Sequence, residues 1–157
     1  MMMLRPVTDA DFAFLYGLHR AVMQEYVAAT WGWVEAWQAE YFKRKWDPDK
    51  WRIIQVEGQD AGVWVVEERE GELYLGLIEI TAEFQGQGVG TAVIQNLLAA
   101  AQAQNRAVSL HVLKANTRAR QLYERLGFAV VAEETYRFKM RWTPLNLNGA
   151  NNSKRIK

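Results

Sequence analysis

The sequence predicts one α/β domain of seven strands and four helices, in the order β-α-α-β-β-β-α-β-α-β-β. Three observations lead there. A length of 157 residues suits a single domain with a real core and is short for two. Apolar spacing switches along the chain between a helical period and a two-residue strand period. A glycine-rich stretch, Gln85-Gly86-Gln87-Gly88-Val89-Gly90-Thr91, lies between a strand pattern and a helix pattern. With 50% hydrophobic and 24% charged residues, wholesale disorder is excluded.

The elements follow in order. Leu4 to Val7 reads as a short strand, and Thr8 as a helix N-cap with Asp9 and Asp11 near the positive helix end. Phe12, Leu15, Leu18, Val22 and Tyr26 carry the helical period. A break is expected at Thr30 to Gly32. Trp33, Trp37 and Tyr41, four apart, then share one face of a second helix, which Asp47-Pro48 ends. Trp51 to Val56, Ala61 to Glu68 and Glu72 to Ile80 read as strands separated by turns. Thr91 to Asn105 lacks Gly and Pro and is rich in alanine and leucine, a good helix. Val108 to Leu113 is a strand, and Asn116 to Leu126 a helix closed by Gly127. Phe128 to Glu133 and Tyr136 to Trp142 form a last strand pair. Residues 1–142 make the domain, and 143–157 a polar, basic tail without a core pattern, mobile or docked on a neighbour.

Composition narrows the chemistry. With no cysteine there is no disulfide framework, thiol nucleophile or thiolate metal site. Two histidines, His19 and His111, are too few for a dedicated zinc site, so no metal is expected. Net charge is +1, yet six basic residues and no acidic ones follow Glu134, so the body is mildly acidic. That argues against nucleic acid as a partner. No stretch is apolar enough to span a membrane, and the N-terminus has no secretory pattern, so a cytoplasmic location is expected. Five of the seven tryptophans fall between Trp31 and Trp51.

The glycines let backbone N–H groups approach a ligand closely, and the following helix start adds partial positive charge. This reads as a phosphate cradle. It is not a P-loop, since no Gly-Lys-Ser/Thr follows, and its GxGxG spacing is not the dinucleotide fingerprint. Further on stands Asn116-x-x-Ala119-x-x-Leu122-Tyr123-x-x-x-Gly127-Phe128. Together with Gln85-x-x-Gly88-x-Gly90, this resembles the GNAT superfamily, the Gcn5-related N-acetyltransferases. The opening Leu4-Arg5-Pro6-Val7 with Asp11 is similar too, and Tyr26-Val-x-x-Thr30-Trp-Gly-Trp33 with Gln38 looks like one group of small bacterial members. The resemblance implies the GNAT fold, a central twisted sheet of mixed, mostly antiparallel strands with flanking helices. Two positions depart from the pattern: Ala82 stands where many members have proline, and Gly86 where many have arginine. The diphosphate would then rest on backbone amides and the helix dipole.

The resemblance further implies acetyl transfer from acetyl-CoA, as co-substrate, to a primary amine by direct attack in a ternary complex. Tyr123, at the motif tyrosine, is the expected acid for the leaving thiolate, because a phenol ordinarily stays protonated at neutral pH. A backbone N–H at Glu79 to Ile80, where the family has a strand bulge, would bind the oxyanion. For the base there are two candidates. Glu79 is a carboxylate inside an apolar run, and His111 titrates near neutrality in its ordinary state; water relay is also open. Expected cofactor contacts are Gln85, Gln87, Gly88, Gly90 and Thr91 at the diphosphate, Ile80 and Ala82 along the pantetheine arm, and Asn116. Arg120 and Lys114 would meet the nucleotide phosphate or form a solvated helix face.

In this family the two N-terminal helices wall the acceptor cleft. Here they carry aromatic rings and carboxylates, which suit a small cationic amine. A Trp33, Trp37, Tyr41 stripe is ordinarily core; Trp31 and Trp33, flanking Gly32 at a helix junction, are the better pocket candidates and, with Tyr26, the substrate-binding ones. Two alternatives stay open: a protein N-terminal or lysine acetyltransferase, and a non-catalytic acetyl-CoA-binding sensor. Many relatives are dimers, so a homodimer is a further partner to expect, with the aromatic last strand as its surface.

Overall fold

The computed structural model describes residues 1–145. Its elements are β1 (Met2–Pro6), α1 (Phe12–Thr30), α2 (Glu35–Lys45), β2 (Trp51–Val56), β3 (Gln59–Arg69), β4 (Glu72–Ile80), α3 (Val89–Ala103), β5 (Ala107–Leu113), α4 (Thr117–Arg125), β6 (Ala129–Glu133) and β7 (Arg137–Trp142). Single 3-10 turns at Asp9–Asp11 and Ala82–Phe84 precede α1 and the glycine loop. The order matches the one read from the sequence. The seven strands form one mixed sheet, β1-β2-β3-β4-β5-β7-β6. β4 and β5 run parallel, from Glu72 opposite Ala107 to Leu75 opposite Leu110. The pairs β1–β2, β2–β3, β5–β7 and β6–β7 are antiparallel.

The chain divides into two compact units, one of residues 1–66 and 76–90, the other of residues 67–75 and the chain from Thr91. In the first, Leu15, Leu18, Phe42, Trp51, Ile53 and Val63 are core, with Phe12, Tyr16, Trp46 and Leu77 packed against them. Phe12 meets Phe42 edge-on at 5.5 Å, and Trp51 meets both Phe42 (5.3 Å) and Trp46 (5.1 Å). These offset and edge-on contacts are the arrangements that ring quadrupoles favour. Arg5 fastens the entry to α1: its guanidinium holds Asp11 (2.9 Å) and Asp60 (2.9 Å), and Gln55 donates to Asp60. The hydrogen bonds from Arg5 hold the Asp11 carboxyl at about 2, well below its ordinary value. The opening motif residues Arg5 and Asp11 thus have a structural task.

One expectation about the tryptophans is corrected. Trp33 lies before α2, not on it, and the Trp37 and Tyr41 face points outward, 54% and 39% exposed. The two rings stack at 5.1 Å and 10°, with Lys45 and Arg44 over Tyr41. The buried face of α2 is Gln38 and Phe42. A four-residue spacing fixes a shared face but not which face is covered.

In the second unit, α3 buries Val93, Ile94 and Leu98, and β5 buries Val108, Leu110 and Val112. On β7, Met140 stands opposite Leu110 and is fully buried. β7 is flanked by β5 and β6, so the last strand is not a sheet edge. β6 is the edge, and it is exposed along its whole length. Past Trp142, Pro144 is buried and the Leu145 amide donates to Gln102 (2.8 Å). The rest of the expected tail, residues 146–157, lies outside the described residues.

Candidate active site

The first unit carries the glycine loop and the end of β4. The 3-10 turn takes up the backbone N–H of Gln85, which donates to Thr81 O (3.1 Å) and Ala82 O (3.3 Å). The Gln85 side chain donates to the Ile80 carbonyl (2.9 Å), and that of Gln87 to the Glu83 carbonyl (2.7 Å). The two glutamines thus brace the loop through their side chains. Gly86 and Gly88 adopt φ of 76° and 80°, a conformation that disfavours any residue with a Cβ, and open space lies where a Cβ would be. Gln85 to Gly88 form a turn, and α3 begins at Val89 with Gly90 and Thr91 in its first turn. Turn amides followed by the unpaired amides of a helix start make an anion cradle. The residues present therefore fit a diphosphate held by backbone.

At the end of β4, Glu79 is 3% exposed. Its Oε2 is 2.8 Å from Nδ1 of His19 on α1, while its Oε1 is buried without a hydrogen-bond partner. Thr81 Oγ1, just past the end of β4, is also buried and unpartnered. Such orphans are rare in folded proteins and call for an explanation; Arg120 Nε, in the second unit, is a third. His19 is the residue that the sequence reading missed. Its only signal was its place on the inward stripe of α1, between Tyr16 and Val22. The His19 ring packs on Phe42 (5.3 Å) and lies 6.5 Å from Trp33.

Trp33 is fixed by Glu35, whose carboxylate accepts from the indole N–H (2.7 Å) and from the Tyr16 hydroxyl (2.8 Å) and pairs with Arg20 (2.9 Å). The bonds from Trp33 and Tyr16 hold the Glu35 carboxyl below its ordinary value. Burial first, then the bond to Glu35, raises the Tyr16 phenol. Of the other acceptor-side candidates, Trp31 is 57% exposed, and Tyr26 is half-buried on the last turns of α1. The first unit therefore brings Glu79, His19 and Trp33 together, with Trp31 beyond the end of the helix.

The second unit holds the remaining candidates. His111 uses both ring nitrogens, Nδ1 with the Tyr74 hydroxyl (2.6 Å) and Nε2 with Glu134 (3.0 Å). Burial, then the charge of Arg137, pushes the His111 imidazole below its ordinary value, and burial pushes the Tyr74 phenol up. Arg137 keeps Glu134 ionised. The consistent assignment is a neutral ring that accepts from Tyr74 at Nδ1 and donates to Glu134 from Nε2. Tyr123 is buried on α4 with its ring 5.8 Å from Phe128. Asn116 caps α4 by accepting from Ala119 N (3.1 Å), which leaves its amide N–H₂ as the group available to a ligand. Arg120 stacks over Phe138 (4.4 Å) and stands 3.3 Å from Glu124, and Lys114 pairs with Glu133 (2.7 Å). Lys114 thus has an internal partner, whereas Arg120 Nε, despite lying near Glu124, is buried without a hydrogen-bond partner among the described residues. Among the described residues no group of acidic or histidine side chains is placed to hold a metal, and no helix is long and apolar enough to cross a membrane.

The sequence profile of the Acetyltransferase (GNAT) family matches residues 15–128, most of the chain. The chain belongs to the GNAT family. Over 83 residues it is 34% identical to a protein named 5-NmdU N-acetyltransferase from Pseudomonas phage PaMx11; the match spans 52% of this chain and 58% of that relative. The fold is shared with the PaiA N-acetyltransferase of Thermoplasma acidophilum in complex with coenzyme A, at a TM-score of 0.74 and 12% identity over 91% of this chain and 99% of that one. It is shared also with the ribosomal-protein-S18-alanine N-acetyltransferase of Escherichia coli, at a TM-score of 0.66 and 18% identity over 91% and 94%.

Proposed function

We propose that the chain is a cytoplasmic N-acetyltransferase that moves acetyl from acetyl-CoA to the primary amine of a small cationic acceptor. The observation that carries the reading is Glu79: a buried carboxylate with one oxygen unpaired, at the end of the strand that leads into an anion-cradling loop. The amides of Gly86 to Gly90 and the Thr91 hydroxyl hold the diphosphate, while Gln85 and Gln87 shape the loop. Ile80 and Ala82 run beside the pantetheine arm, and the Asn116 amide donates to it. Lys114 is left as a structural cation, and Arg120 stays the candidate for the nucleotide phosphate.

Of the two base candidates, Glu79 is favoured because its Oε1 lacks a partner, whereas both nitrogens of His111 are in use. Glu79 Oε1 takes one proton from the ammonium and releases it to solvent at the end of the cycle. The resulting amine attacks the thioester carbonyl, the C–N bond forms and the C–S bond breaks. A main-chain N–H at Glu79 to Ile80 steadies the oxyanion. Tyr123 protonates the departing thiolate and regains its proton from the nitrogen of the new amide. Trp31, Trp33 and Tyr26 face the acceptor, where aromatic rings favour a cation.

The test is thiol release from acetyl-CoA across a panel of polyamines, amino acids, aminoglycosides, short peptides and 5-NmdU. Transfer to small amines supports the reading. Transfer to peptides alone would replace the acceptor class, and acetyl-CoA binding without any transfer would replace the function by a sensor.

A further inference from the structure

We propose that His19 is a positioning residue for Glu79: it pins one carboxylate oxygen so that the other is the oxygen left for the acceptor amine. The proposal deepens the acetyltransferase reading and rests on it.

Glu79 has two oxygens in opposite situations. Oε2 lies 2.8 Å from His19 Nδ1, and Oε1 is buried with no partner. A carboxylate is an acceptor only, so the 2.8 Å contact places a proton on Nδ1, which donates to Oε2. Without that donor the carboxyl group is free to turn about its last torsion, which is broad and two-fold. With it, the plane of the group is set and Oε1 keeps one direction. His19 is itself held. Its ring packs on Phe42, part of the core, and stands beside Trp33, whose indole is tied down by Glu35. Its Nε2 has no protein partner among the described residues, so the ring is committed to Glu79 alone. A purely structural pair would be expected to satisfy both oxygens of so buried a carboxylate; this one satisfies one and leaves the other open.

The residue that matters is then the Nδ1–H donor rather than the imidazole as a base, and this sets the experiment. His19→Asn keeps an N–H donor near the Nδ1 position, and His19→Leu removes it at similar volume. Thiol release is measured with saturating acetyl-CoA and the best amine of the panel, and thermal unfolding is measured for each variant. The expected result for His19→Leu is a kcat about 10²-fold lower, the scale of a reacting group left about 1 Å out of place, with the KM for acetyl-CoA unchanged. His19→Asn should stay within about threefold of the unaltered chain, since the oriented donor survives. Should His19→Leu not fold, His19→Ala assayed with and without imidazole decides, with recovery of kcat on adding imidazole expected. Three results would overturn the proposal: an unchanged kcat in His19→Leu, a His19→Asn loss as deep as that of His19→Leu, or a folded His19→Ala that is slow and that imidazole does not restore. If the unaltered chain releases no thiol with any amine, the acetyltransferase reading falls and this proposal falls with it. Transfer by the unaltered chain with an indifferent His19→Leu removes this proposal alone.

Discussion

Gly62→Ala is a change of one methyl group that should disable the site without replacing a candidate catalytic residue. Gly62 is buried on β3 where that strand meets the end of β4. A Cβ built there stands 2.3 Å from the Glu79 carbonyl oxygen and 3.2 Å from Ile80 Cα. Both neighbours are backbone, so neither rotates aside, and the end of β4 must retreat by roughly 1 Å to restore ordinary contact. Overpacking of this kind costs about 1–3 kcal/mol. For a domain of this size that lowers Tm by roughly 3–10 °C. The same displacement moves the main chain of Glu79 and Ile80, and a misplacement of about 1 Å costs about 10²-fold in rate. Gly17→Ala is the control: it lies within α1, its added Cβ meets nothing within 4 Å, and it should raise stability by up to about 1 kcal/mol. Thermal denaturation and thiol release on the two variants check this. A Gly62→Ala protein with the original Tm and rate would refute the argument that β3 closes on the end of β4.

Tyr123→Phe should cut kcat strongly and leave acetyl-CoA affinity nearly unchanged; an unaltered rate in a steady-state assay removes its role as the acid. Asp11 has a depressed folded pKa of about 2, so its contribution to stability is complete above about pH 4 and is lost as pH falls towards 2. After discounting for partial exposure, that is on the order of 1–2 kcal/mol. Urea denaturation at pH 5 and pH 2.5 should show a smaller acid loss in Asp11→Asn, and an equal loss in both proteins would count against it. Phe42→Ala should destabilise by about 3–5 kcal/mol, whereas Trp37→Ala, on the exposed face of the same helix, should stay within about 0.5 kcal/mol, as chemical denaturation will show.

The element order was legible because each element writes its own local signature. β2 and β4 fall where alternation placed them, at Trp51–Val56 and Glu72–Ile80. α4 begins one residue after the expected start at Asn116, which caps it instead through a contact between residues three apart. Faces were less legible. Trp37 and Tyr41 obey helical spacing yet look outward, since hydrophobicity alone does not say which stripe of an aromatic-rich helix meets the core. Burial of Pro144 was invisible for a related reason: a short segment carries no period, and only tertiary contact covers it.

The site divides along the same line. The glycine loop and the Asn116 to Phe128 segment are contiguous motifs, and a contiguous motif can be read. What the sequence hid is pairing over distance. His19 and Glu79 are 60 residues apart, and Gly62 meets the end of β4 only because the strands fold back. Arg120 and Lys114 show the same limit: as bare letters they are two equal cations, and only the fold shows Lys114 paired with Glu133 and Arg120 lying over Phe138. The tryptophan cluster follows the same logic. Trp46 and Trp51 belong to the packing that fixes Phe42, Phe42 supports His19, and His19 holds Glu79. Core rings and candidate acceptor-side groups are therefore one connected structure. A substitution such as Phe42→Ala should accordingly impair catalysis as well as stability, through the ring that His19 leans on.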